Sequence, residues 1–263
     1  MKQEPVARLV SRLEVALHGV GGDARHGRVV LAADGDGTLW TGDVGDALFE
    51  EALAQGWVTD AARPALLAEA KAHGVAAEGD AATIARALDV AHREGRYPED
   101  RAYAMMAWCM AGMREDVLRA AAHELLLGAF GLHDRLIPEA IALLTWASTR
   151  KVPILVISAS PRAIVGPAAE LVRQRIGGGV VEVRSMTPTL IDGVIQPTID
   201  GPIVYGEGKV AALAERREGR HVLAALGDSR FDLPMLALAE FAVAIRPKPT
   251  LLASAPERVV QAV

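Results

Sequence analysis

Four short apolar runs, Val29–Ala33, Val152–Ile157, Val180–Val183 and Val222–Leu226, lack the polar alternation of a strand with one wet face. Each predicts a strand buried on both sides. Two of them pass directly into small polar residues and then a helical pattern, as ADGDGTLW after the first and SASPRAIVGPAAELVRQR after the second. Strand, polar turn, helix, strand is the order of a parallel βαβ sheet, whose ligands gather beyond the carboxyl ends of the strands. Between Asp43 and Arg135 the pattern changes to Ala- and Leu-rich helical periodicity, as in AARPALLAEAKAHG and REDVLRAAAHELLLGAF, with glycines as punctuation. The chain therefore divides into residues 1–42, an N-terminal helix and the first part of an α/β core; 43–135, a helical insertion; and 136–263, the rest of the core. Within the last part, TLIDGVIQPTI places Asp192-Gly193 between apolar residues and predicts a hairpin on the returning core. At the N-terminus Val6, Leu9, Val10, Leu13 and Leu17 follow helical spacing. They predict an amphipathic helix packed on the body, with a membrane-surface helix as the alternative.

Composition narrows the classes. A chain of 263 residues, 51% hydrophobic and 23% charged, is globular. It buries roughly 70% of its unfolded surface. Its 28 Lys and Arg against 33 Asp and Glu leave a net charge of −5, which excludes a grip on nucleic acid by bulk charge. The single cysteine, Cys109, forms no intramolecular disulfide and no thiolate metal cluster, and reads as inert packing. It lies in the longest nearly apolar stretch, Ala102 to Met113, which falls short of the roughly 20 residues that a bilayer requires. The expectation is a cytoplasmic protein with no membrane partner.

The chemistry sits at the predicted strand ends. Asp34 and Asp36 stand two apart just after the first apolar run, with Gly35 and Gly37 between and behind them. Such close carboxylates repel unless a cation or a shared proton relieves them, and Mg²⁺ takes one or two carboxylates together with phosphate oxygens. A solvated Asp-Gly turn is the plain alternative. Asp228 follows the last apolar run, and Asp232 comes four residues later. In a parallel sheet they would complete an oxygen-rich site opposite Asp34 and Asp36. Ser158 closes VPILVISAS and Lys209 stands in YGEGKVAAL, a hydroxyl and an ammonium suited to phosphate oxygens beside a metal.

DGDGTLW, ISAS, GEGK and GDSRFD resemble, in order and context, the four motifs of the haloacid dehalogenase (HAD) superfamily, and most closely its phosphoserine phosphatase-like branch. The resemblance covers nearly all of the chain after about residue 28. It implies a Rossmann-like parallel-sheet core with an inserted α-helical cap, and the 124 residues from Asp34 to Ser158 leave room for that cap. It implies Asp34 as the nucleophile that forms an aspartyl phosphate, and Asp36 as the group that protonates the leaving oxygen and then activates water. Ser158 and the Ala159 N–H would hold the phosphoryl group, and Lys209 would neutralise it. Mg²⁺ would sit on Asp34, the Asp36 carbonyl and Asp228, with Asp232 orienting Lys209 or a metal-bound water. The second Asp favours phosphoryl transfer, since a dehalogenase needs no acid to protonate a halide.

Selectivity is expected from the cap. Asp43 stands where phosphoserine phosphatases carry an acidic residue for the substrate's amino group; it is equally a helix N-cap for DVGDALFEEALAQ, and both roles are compatible. Arg101 and Arg114 are candidates for a substrate carboxylate, with no choice between them, and a solvated surface charge is the commoner role for either. Trp40, Tyr97, Tyr103 and Trp108 are candidates for an aromatic cage or for core packing, with Trp40 favoured as a substrate contact by its closeness to Asp34. The expected function is a Mg²⁺-dependent phosphomonoesterase acting on a small phosphate ester, phosphoserine or a related amino-phosphate first. A phosphotransferase using the same intermediate and a non-catalytic binding protein are the rival readings.

Overall fold

The computed structural model describes residues 1–18 and 27–263. Its centre is a seven-stranded sheet in the order β1 (Lys2–Glu4), β9 (Val260–Ala262), β8 (Phe241–Ile245), β7 (His221–Gly227), β2 (Val29–Ala33), β3 (Ile154–Pro161) and β4 (Val181–Met186). Every neighbouring pair runs parallel. Along β2, Val29, Leu31 and Ala33 enter one apolar cluster while Val30 and Ala32 enter another. That is the period-two alternation of a strand covered on both faces, and it explains why the run needs no polar position. On the first face lie α1 (Val6–His18), α8 (Pro138–Thr149) and α9 (Arg162–Arg175); on the second lie α10 (Gly208–Arg217), α11 (Leu233–Ala237) and α12 (Pro249–Ser254).

All four predicted strands form: β2 has the predicted bounds, the other three differ by a few residues, and β3 extends to Pro161. Three strands were not foreseen: β8 and the three-residue strands β9 and β1, the last of them at the sheet's edge. Leu9, Leu13 and Leu17 of α1 are at most 1% exposed. Burying each is worth about 2 kcal/mol, so the apolar face of the helix is spent on the body and not on a membrane surface. Glu14 on the same helix accepts hydrogen bonds from Trp146 Nε1 at 2.7 Å and Arg150 Nε at 2.8 Å.

Between β2 and β3 the chain is helical throughout: α2 (Val44–Ala54), α3 (Arg63–Ala72), α4 (Ala81–Arg93), α5 (Glu99–Trp108), α6 (Glu115–Leu127), α7 (Leu132–Arg135) and then α8. Cys109, just after α5, is fully buried, and burial pushes its thiol up to about 12. The hairpin is present as β5 (Pro188–Ile191) and β6 (Val194–Ile199), turning at Asp192 and Gly193, whose φ angles of 50° and 77° suit a two-residue turn. It forms a separate two-stranded sheet and clasps the corner between α5 and α6. There Gly112 N–H donates to Ile195 O, Ile195 N–H to Met113 O and Glu115 N–H to Gly193 O, each at 2.9 Å. No described helix is long and apolar enough to cross a membrane.

Candidate active site

Three adjacent strands, β7, β2 and β3, deliver polar residues to one end of the sheet, where the strand order reverses direction. Asp34 follows β2, Ser158 lies near the end of β3, and Asp228 follows β7. After Asp34 the chain turns tightly, with the N–H groups of Thr38 and Leu39 donating to Gly35 O at 3.2 and 2.8 Å. Gly37 has φ +79°, and a Cβ there would stand 2.1 Å from Asp228 Oδ2. Glycine lets these two acidic loops meet. Gly208 performs a similar service at the start of α10, where a Cβ would fall 1.7 Å from Ile203 O. The next residue, Lys209, is thereby brought to the strand ends.

Lys209 Nζ lies 2.7 Å from Asp34 Oδ1 and 2.5 Å from Asp232 Oδ1, and all three residues are buried. Burial opposes the lysine's charge, but Asp232 and Asp34 outweigh it and hold its pKa above the ordinary lysine value. Burial drives the Asp34 carboxyl well above its usual range, against the pull of Lys209 and with Asp232 and Asp228 adding to the rise. Asp232 Oδ2 accepts from Asp228 N at 3.0 Å, Ser229 N at 2.9 Å and Ser229 Oγ at 3.0 Å. Both of its oxygens are therefore engaged, and of its two expected roles the orienting of Lys209 is the one the geometry displays.

Asp36 is held just as closely, by different groups. Its Oδ1 accepts from Trp40 Nε1 and Val44 N, each at 2.7 Å, and its Oδ2 faces Ser160 Oγ at 2.6 Å. Burial first, and the nearby Asp43 second, raise this carboxyl to about 7 despite those three bonds. A carboxyl in that range exchanges a proton near neutral pH, which suits acid–base work.

These residues meet beneath a cavity of about 150 Å³. Five carboxylates line it (Asp34, Asp36, Asp43, Glu99 and Asp228) against two ammonium groups, Lys209 and Lys248. Such an excess of negative charge repels a phosphate unless a cation compensates it. Carboxylate oxygens of Asp34, Asp228 and Asp232 come within 4.8 Å of one another, and an all-oxygen set of this kind fits a hard divalent ion such as Mg²⁺.

Several expectations need correcting. Trp40 does not line the cavity: it is fully buried against Gly35 and spends its indole N–H on Asp36. Ser158 is 1% exposed and lies one residue behind the lining, where its Oγ accepts from Ser160 N at 3.0 Å; Ala159 and Ser160 face the cavity. Of the four aromatic candidates only Tyr103 reaches the cavity. Tyr97 is buried with its hydroxyl 3.0 Å from Glu69, and Trp108 is 4% exposed. Neither arginine lines the cavity: Arg101 is paired with Glu69, and Arg114 with Asp116 at 2.9 Å. Asp43 caps α2 by accepting from Asp46 N at 2.9 Å and also lines the cavity.

The sequence reading missed Ser160, Glu99, Tyr205, Phe231 and Lys248. Lys248 Nζ lies 2.9 Å from Asp228 Oδ2. The apolar run FAVAI of β8 was the signal for it, because a parallel strand ending at Ile245 sends the next loop to this same edge. Tyr205 sits between Tyr103 and Phe231, with ring centroids 5.7 Å and 4.4 Å away. Burial first, and then the neighbouring Glu99 carboxylate, raise its hydroxyl far above the ordinary tyrosine value.

A profile of the haloacid dehalogenase-like hydrolases matches residues 31–237, and the chain belongs to that family. No curated protein matches it. Among solved structures, a protein of unknown function from Bordetella pertussis Tohama I shares 20% identity, with a TM-score of 0.67, over 89% of this chain and 98% of that one. A substrate-bound phosphoserine phosphatase shares 14% identity over 89% of this chain and 92% of its own, with a TM-score of 0.51. A cytosolic 5′-nucleotidase IIIB bound to cytidine shares 11% over 94% and 80%, with a TM-score of 0.54. At these identities the likeness is one of fold.

Proposed function

We propose that this chain is a Mg²⁺-dependent phosphomonoesterase that hydrolyses a small, amine-bearing phosphate ester through an aspartyl phosphate on Asp34. The observation that carries this reading is Asp34, buried beneath the cavity, with Lys209 2.7 Å from one oxygen and only the longer 3.3 Å bond from Thr38 on the other. One carboxylate oxygen is pinned and its partner is left to react. Asp34 attacks phosphorus and the ester P–O bond breaks. Asp36 gives its proton to the departing alkoxide. The Asp36 carboxylate then takes a proton from water as that water attacks phosphorus, releasing inorganic phosphate and restoring Asp34. Lys209 and the 158–160 loop hold the phosphoryl oxygens. Mg²⁺, when bound through Asp34 and Asp228, would neutralise charge on nucleophile and phosphate alike.

The choice of leaving group follows from the upper wall. Glu99 and Asp43 stand beside Tyr103, Tyr205 and Phe231, and no arginine lines the cavity. Carboxylates and aromatic faces favour an ammonium group, while the two lining ammonium groups are already held, Lys209 by Asp34 and Asp232 and Lys248 by Asp228. This supports an amino-alcohol phosphate over phosphoserine. The test is phosphate release from phosphoethanolamine, phosphocholine, phosphoserine and p-nitrophenyl phosphate, with Mg²⁺ or with EDTA. The reading expects metal-dependent release, with an amino-alcohol phosphate preferred to phosphoserine. Glu99→Gln should raise KM for that substrate about tenfold, the loss of one charged contact, and leave p-nitrophenyl phosphate unchanged. Equal loss on both substrates would remove Glu99 from recognition, and release in EDTA would remove the metal.

A further inference from the structure

A second cavity opens at the free edge of the sheet, where β4 pairs with β3 and no strand follows. Its volume is about 290 Å³, and four guanidinium groups line it: Arg119 from α6, Arg162 from α9, Arg184 from β4 and Arg216 from α10. No carboxylate is among its lining residues. In a chain of net charge −5, four like charges gathered on one cavity call for an explanation. Two acids nearby offset part of the charge. Glu215 lies 2.9 Å from Arg184 Nη2, and Glu115 lies 3.4 Å from Arg162 Nε. Among the described residues no ion pair engages Arg119 or Arg216.

Two buried polar atoms at the same place lack partners. Ser185 Oγ, on a residue 1% exposed, has no hydrogen bond, and neither has Arg184 Nε. Buried donors are ordinarily satisfied, and leaving them bare costs stability. Guanidinium forks bind oxyanions in bidentate fashion, and a hydroxyl donates one further hydrogen bond.

We propose that this pocket binds an oxyanion of at least two negative charges, at a site separate from the catalytic cavity. Arg119 belongs to the helical insertion and the other three arginines to the core, so the bound anion fastens one to the other. Arg162 opens α9 directly after Pro161, the last residue of the strand that carries Ser158 and Ser160. The site is thus one short step from the catalytic loop.

The test is isothermal titration of the whole chain at low ionic strength, after metal has been stripped and the chelator dialysed away, a condition in which the carboxylate-rich catalytic cavity repels anions. Pyrophosphate and citrate serve as separate probes, distinguishing a phosphate source from a carboxylate source. At least one should bind saturably. Arg119→Gln with Arg216→Gln, both at exposed helical positions, should weaken that binding at least tenfold, with Arg216→Gln alone giving part of the loss. Lys248→Gln, in the catalytic cavity, should leave it unchanged. Absence of binding to wild type, equal affinity in the double variant, or loss on Lys248→Gln would each overturn the proposal. The arginines would then be guards of an open strand edge.

Discussion

The floor and the upper wall of the catalytic cavity are built by different rules. On the floor every functional carboxylate is anchored before any substrate arrives: Asp34 on Lys209, Asp36 on Trp40, Val44 and Ser160, Asp228 on Lys248, and Asp232 on four donors. The upper wall brings together Glu99 and Tyr103 from α5 with Tyr205 and Phe231 from two loops of the core. There the Tyr205 hydroxyl has only the Glu99 carboxylate beside it. Groups that do chemistry are held by several protein partners, whereas the wall meets a ligand mainly with aromatic faces and a carboxylate. The contrast assigns reaction to the floor and selectivity to the wall.

The largest effect should come from the floor. Asp34→Asn should lower turnover by at least about four orders of magnitude, as removal of a covalent nucleophile does, measured as phosphate release. Asp36→Asn should lower it by about 10²–10⁴-fold, the range of a lost general acid–base, and slow both formation and breakdown of the intermediate in rapid-quench assays. Trp40→Phe keeps most of the buried ring and removes one donor to Asp36. It should lower kcat about tenfold, one hydrogen bond to a charged group, with KM unchanged. A rise in KM alone would put Trp40 back among the substrate contacts.

The smallest effect belongs near the wall. Asp46, in the first turn of α2, has its carboxyl raised to about 6 by burial and then by the neighbouring Asp43. The fold therefore disfavours its ionised form. That penalty is absent below about pH 4, where folded and unfolded chains are both protonated, and it grows as pH rises towards the folded value. Asp46→Asn should stabilise the protein at pH 7 by about 0.5 kcal/mol, a figure reduced for the group's partial exposure. The gain should vanish at pH 4 in urea unfolding. A gain that persists at pH 4 would refute the electrostatic cause.

The floor was legible in the sequence because each of its residues follows an apolar run or opens a helix within a short motif. Asp34, Asp36, Lys209 and Asp228 each sit where a parallel strand or a helix start must place them. The wall was not legible. Glu99 and Tyr205 lie far apart along the chain, and only the packing of α5 over the core brings them to one cavity. Helical periodicity also says nothing about which partner an arginine finds, so Arg101 stood open between a substrate contact and a solvated charge, while in the fold Glu69 holds it. Trp40 misled for the opposite reason: closeness in sequence to Asp34 was real, but its ring fills the space beside Gly35 beneath the cavity.

The central claim is that Asp34 carries the phosphoryl group. Acid quenching during turnover of the preferred substrate, followed by digestion and peptide mass spectrometry, tests it most directly. A phosphoryl adduct is expected on the peptide containing Asp34, lost in Asp34→Asn. An adduct on another residue, or full turnover by Asp34→Asn, would contradict it.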